Sequence, residues 1–177
     1  KRYQILLDGN SGSTALDACI DRLNRLETTV TRPYFLEVLR LYNESKLTLT
    51  QVTEIFLTTE SYLFRRTMCD LPTNALNKIF LMLHREIVRY DGTERARFPD
   101  DVEFKVAFEE RPVYLMNSKN KIYILERFEN FGTSEDKDVY RHCDDGTYSI
   151  EHIMPQHLTP VWQKELGDDY EQIHEEW

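Results

Sequence analysis

The sequence predicts a mainly α-helical fold, a helical bundle with one short strand-bearing motif towards its end. Three observations carry this. Apolar residues recur three and four positions apart through most of the chain, the period of a helix with one buried face. The breaks between these stretches are short and hold hydroxyl, Pro or Gly residues of the kind that start and stop helices. Only Tyr148-Ser149-Ile150-Glu151 alternates apolar with polar residues as a half-buried strand does, and Pro155, which cannot donate to a strand ladder, closes it.

Each element has its own signal. After a short lead at Ile5, Leu6 and Leu7, the hydroxyls of Ser11 to Thr14 offer an N-cap to a helix bearing Leu16, Cys19, Ile20, Leu23, Leu26 and Val30. Pro33 suits the first turn of a second helix with Phe35, Leu36, Leu39 and Tyr42. Thr48 and Gln51 have capping-box spacing and open a third through Val52, Ile55, Phe56 and Leu63. Asp70-Leu71-Pro72 breaks the chain, with Thr73 as the next N-cap. The cleanest apolar stripe follows, Leu76, Ile79, Phe80, Leu83, Ile87 and Tyr90, and is expected to be the central core helix, ended by Gly92. Asp100 starts a shorter helix with Val102, Val106 and Phe108, and Ile124, Leu125, Phe128 and Phe131 mark another. Thr159-Pro160 opens a short helix that Gly167 can cap, and Tyr170, Ile173 and Trp177 begin one more. The polar stretch between Gly132 and Gly146 reads as an exposed loop. The expected division is therefore a helical domain at 1–131, a linker loop at 132–147 and a motif-bearing segment at 148–177.

Composition narrows the classes of function. With 177 residues, 41% of them hydrophobic, the chain can bury a sizeable core as one compact domain. No run reaches the roughly 18 apolar residues of a membrane span, and Lys1-Arg2-Tyr3-Gln4 is not followed by the long apolar region of a signal peptide. Cys19, Cys69 and Cys143 are odd in number and far apart, as expected of reduced thiols in the cytoplasm. A net charge of -9 argues against a basic face spread over the whole surface, so any contact with DNA is expected to be local or supplied by parts of the protein outside this sequence.

Glu151-His152 is the pair whose residue types suit chemistry better than packing. A carboxylate is a hard oxygen ligand for a divalent cation, and imidazole, with an ordinary pKa of about 6.5, suits proton abstraction near neutral pH. Neighbouring side chains of a regular strand point to opposite faces, so the two can serve one site only where the backbone bends or ends. An ordinary hydrogen-bonded surface pair is the competing reading.

Ile150-Glu151-His152-Ile153-Met154-Pro155-Gln156, followed by Leu158-Thr159, Trp162 and Glu165-Leu166-Gly167, resembles the C-terminal HNH-type (His-Me finger) nuclease region of GmrSD-like restriction proteins. Arg65-Arg66 with Cys69, the run Leu71 to Lys78, and Phe98 to Phe104 are similar to the helical segment that precedes that motif. The resemblance implies a helical bundle followed by the first part of a ββα-metal nuclease motif, the rest of which would lie beyond Trp177. It implies metal-dependent phosphodiester hydrolysis of DNA, with His152 as general base, Glu151 as a ligand of Mg²⁺ or Mn²⁺, and His157 as a neighbour that shapes the site or caps the next turn. It further implies restriction-type defence against foreign DNA and an N-terminal ParB-like nucleotide-binding domain in the parent protein. By this reading a fragment ending at Trp177 would be inactive alone.

Arg65, Arg66, Lys78 and Arg85 are candidate phosphate contacts, although helical arginines also pair with acidic neighbours such as Glu60 and Asp70. His142, Cys143, His152 and His157 are acceptable zinc ligand types, but their spacing fits no closed structural motif. A reading from a different class is a helical interaction module that couples a nucleotide-binding domain to a nuclease domain.

Overall fold

A computed structural model describes residues 1–26, 29–85, 97–135 and 137–176, the side chains of residues 84 and 85 excepted. Among the described residues the chain forms ten α-helices and no strand: α1 (Arg2–Asp8), α2 (Thr14–Arg25), α3 (Arg32–Asn43), α4 (Leu49–Met68), α5 (Leu76–Arg85), α6 (Asp101–Glu110), α7 (Ser118–Glu129), α8 (Val139–Asp144), α9 (Pro160–Leu166) and α10 (Tyr170–Glu176). No helix among them is long and apolar enough to cross a membrane.

The caps that start these helices are local and legible. Ser13 Oγ accepts the Leu16 N–H at 3.5 Å at the head of α2. Both halves of the capping box form on α4: the Gln51 N–H donates to Thr48 Oγ1 at 3.2 Å, and the Thr48 N–H donates to Gln51 Oε1 at 2.9 Å. Asp100 Oδ1 takes the Glu103 N–H of α6 at 2.8 Å, and Asn117 Oδ1 takes the Asn120 N–H of α7 at 2.8 Å.

Two apolar clusters hold the helices together. The larger joins α1 to α5, with Phe35 stacked on Phe56 at 3.9 Å between ring centroids and Phe80 set between Tyr34 and Tyr62. The smaller gathers Met68, Met116, Tyr123 and Ile124, rimmed by Phe64, Phe104 and Phe108. Helix α4 serves both, placing Val52, Phe56, Tyr62 and Leu63 in the first and Met68 in the second. It is therefore α4, rather than the stripe beginning at Leu76, that is central. Burial on more than one face explains why its pattern is the less clean: Thr59, Glu60 and Arg66 are buried there too, and they interrupt the apolar period. The described part of the Leu76 stripe is buried as expected at Leu76, Ile79, Phe80 and Leu83, while Ile87, Tyr90 and Gly92 lie outside the described residues.

Four further expectations change. The lead at residues 5–7 is helical, because Leu6 finds a place in the larger core and Gly9, at φ +60°, ends α1 in the left-handed region open to glycine. On α6, Phe108 packs inwards as expected, joined by Phe104, whereas Val102 and Val106 are exposed. The stretch 132–147 carries α8, anchored by polar contacts rather than the apolar ones a sequence pattern reveals. Tyr148 to Glu151 form no strand. Four alternating residues need a second strand to take up their backbone groups, and none is present among the described residues; the Tyr148 N–H donates to His142 O at 2.8 Å, closing the end of α8. The first part of a ββα motif is accordingly not formed by these residues.

Candidate active site

The segment carrying Glu151 and His152 is placed by what comes before it. At the head of α8, Glu126 Oε2 accepts the Tyr140 N–H at 2.7 Å, and Asp138 Oδ1 accepts the Arg141 N–H at 3.1 Å. Arg25 of α2 pairs with Glu126 and lies 3.3 Å from Asp138, with its guanidinium 4.9 Å from the centre of the Tyr140 ring. The helical bundle thus grips α8 through charge. At the other end of α8, Gly146 at φ +77° turns the chain, and Asp145 Oδ1 takes the Thr147 N–H at 2.9 Å. The hydrogen bonds from Thr147 hold the Asp145 carboxyl below the usual carboxylate range.

Beyond this turn the chain runs through bends to α9. Ser149 Oγ donates to Glu151 Oε1 at 3.0 Å, and both residues are exposed. His152 is half-buried, its ring 5.0 Å from that of Tyr114 at a tilt of 35°. Tyr114 stands on the 3-10 turn Val113–Leu115 between α6 and α7. A ring nitrogen of His174, on α10, lies 3.0 Å from Pro155 O, three residues after His152 in the motif. His157 is exposed. The absence of a strand removes the constraint that would send Glu151 and His152 to opposite faces.

What can this arrangement do? The ring of His152 makes no hydrogen bond among the described residues, so it can accept a proton. Glu151 presents a hard oxygen donor to solvent. Its donor chemistry fits Mg²⁺ or Mn²⁺, which are bound through one or two carboxylates, waters and substrate phosphates rather than by an all-protein cage. No group of three or more His, Cys, Asp or Glu side chains placed to hold a metal ion occurs among the described residues.

The four basic residues behave differently from one another. Arg65 is committed: it donates to Pro99 O at 3.0 Å and to Asp101 at 2.5 Å, and it lies over the rings of Phe98 and Phe104. Arg66 is 8% exposed, with Nη2 donating to Pro72 O at 2.6 Å, so its guanidinium faces the interior and not a phosphate backbone. Lys78 is exposed on α5, and the side chain of Arg85 lies outside the described part, as does Trp177. The alternative partners Glu60 and Asp70 are taken by Arg22 and Arg111. None of the described three contacts the motif. The residues that sequence reasoning missed are Tyr114 and His174; a lone aromatic after Pro112 and a histidine in an acidic tail give no signal of their own, since only the fold brings them to the motif.

Residues 98–177 match the family described as GmrSD restriction endonucleases, C-terminal domain. No curated protein matches the chain, and no solved structure does.

Proposed function

Since the chain is GmrSD-like, with residues 98–177 matching the C-terminal domain of the GmrSD restriction endonucleases, we propose that this segment cleaves DNA with His152 as its general base. The observation that carries the reading is the position of Ile150 to Gln156 inside the matched segment, where an imidazole with no hydrogen bond to any described residue neighbours an exposed carboxylate. His152 takes a proton from the water that attacks phosphorus; the bond from phosphorus to the leaving oxygen breaks, that oxygen takes a proton from a solvent water, and the imidazolium returns its proton to solvent. A magnesium or manganese ion bound at Glu151 would supply stabilisation of the charge that develops on phosphate and leaving oxygen. The substrate is foreign DNA in a restriction-type defence, reached in the cytoplasm. A ParB-like nucleotide-binding domain is the expected partner within the full-length protein.

The test is DNA cleavage by the full-length protein. His152→Ala should lower the rate by about 10²- to 10⁴-fold, the usual contribution of a general base, with folding unchanged because His152 is not part of either core. Glu151→Ala should regain part of its activity at high Mg²⁺ or Mn²⁺, which His152→Ala should not. Full cleavage by His152→Ala would end the nuclease reading and leave the helical interaction module as the better account.

A further inference from the structure

Residues 149–158 have an unusual backbone for a catalytic segment. Among the described residues, none of their backbone N–H groups donates a hydrogen bond, and no side chain from 149 to 158 is buried. Neither a ladder, a cap nor a core fixes the direction of His152. A general base must nevertheless be held in line with its water, because a displacement of about 1 Å can cost on the order of 100-fold in rate.

Two ring groups supply the missing constraint, one at His152 and one at Pro155. Tyr114 is rigidly presented. Its turn is closed by the Leu115 N–H donating to Pro112 O at 2.9 Å and the Met116 N–H donating to Val113 O at 3.1 Å. Lys121 Nζ donates to Tyr114 O at 3.3 Å, and Met116, two residues on, is anchored in the smaller core. The Tyr114 ring meets His152 at 5.0 Å, within the 4.5 to 7 Å range in which aromatic rings attract beyond simple area burial. His174 reaches Pro155 O at 3.0 Å, three residues along the same segment.

We infer that Tyr114 is a positioning residue for His152, holding the imidazole by ring contact while His174 pins the following turn at Pro155. The assignment rests on the nuclease reading of His152. It makes the first turn after α6, far from the motif in sequence, part of the site's supporting structure.

Two measurements test it. In the 177-residue chain, the carbon-bound ring protons of His152 should show a ring-current shift in NMR spectra of histidine-labelled protein. Tyr114→Leu should abolish that shift and Tyr114→Phe should keep it, since the ring and not the hydroxyl makes the contact. Tyr114 is 53% exposed, so neither substitution threatens folding. In DNA cleavage by the full-length protein, Tyr114→Leu should lower kcat by about 10- to 100-fold with KM little changed, and Tyr114→Phe should restore it. An unchanged His152 shift in Tyr114→Leu overturns the contact. A kcat that is unaffected in Tyr114→Leu while His152→Ala is inactive overturns the positioning role alone. Full activity in His152→Ala, where the unsubstituted chain shows the His152 ring-current shift, overturns the nuclease reading and the role together, leaving a contact without a reaction.

Discussion

Tyr123 and Glu60, 63 residues apart in sequence, meet in the interior through a 2.7 Å hydrogen bond from the phenol to Oε1. Arg22 donates to the same carboxylate at 2.7 and 3.0 Å, and the Cys19 thiol donates at 3.4 Å. One buried anion therefore ties α2, α4 and α7 together and joins the larger core to the smaller.

Breaking that anion should be costly. Glu60→Ala leaves Arg22 and Tyr123 without their acceptor, and loss of one partner of a buried pair costs about 3 to 5 kcal/mol. Glu60 is 5% exposed, so its bonds to Arg22 and Tyr123 are made away from bulk solvent. Urea melts should show this loss, with a smaller one for Glu60→Gln; a change below about 1 kcal/mol would mean that the network does not bear on stability.

Alkali should unfold the protein through the same site. Burial first, and Glu60 second, push the Cys19 thiol and the Tyr123 phenol well above their ordinary values. A raised folded pKa gives stability that is whole below the unfolded value, about 8.5 for Cys and about 10 for Tyr, and that is lost as pH rises towards the folded one. Melts at pH 8 and pH 10.5 should differ accordingly, and Cys19→Ala should remove more of the dependence than Tyr123→Phe, because the unfolded thiol ionises first. A stability that does not fall over this interval contradicts the arrangement.

The larger core can be probed at Phe80, which is 1% exposed. Phe80→Ala should cost about 3 to 5 kcal/mol by the lost transfer energy and the cavity left among Tyr34, Tyr62 and their neighbours. A loss under 1 kcal/mol in denaturant melts would remove this ring from the core.

Helix α8 should open when its anchor is cut. Glu126 takes both the Arg25 guanidinium and the Tyr140 N–H, and a hydrogen bond to a charged group contributes about 1.5 to 3 kcal/mol. In Glu126→Ala the Tyr140 amide should exchange with solvent at least about tenfold faster, whereas amides of α3 should not follow. Equal protection in both proteins would show that α8 is held by something else.

Legibility in the sequence followed the range of the interaction. Ser13, Thr48 and Asp100 announce their helices because a cap acts over three residues, and Leu76 to Leu83 announce a buried face because its period is local. Glu126, Arg22 and Arg25 carry no local signal, and Glu60 shows only as a partner for helical arginines; the packing of distant helices is what buries Glu60 and Glu126, so neither the link between the cores nor the anchoring of α8 could be seen. Tyr148 to Glu151 misled because four alternating residues satisfy the strand pattern without any partner strand. At the candidate site, Glu151 and His152 stood out by residue type and by their neighbours, whereas Tyr114 and His174 reach the motif only through the fold.

The two apolar clusters draw on α1 to α7 and the turn before α7, while α8, α9 and α10 bury no residue. Because the denaturant m-value scales with the surface exposed on unfolding, the larger share of it belongs to the part before residue 132, which holds both cores. Changes in the motif segment can thus alter chemistry with little effect on the cooperative transition, which leaves that segment free to vary in sequence while the bundle beneath it keeps its stability.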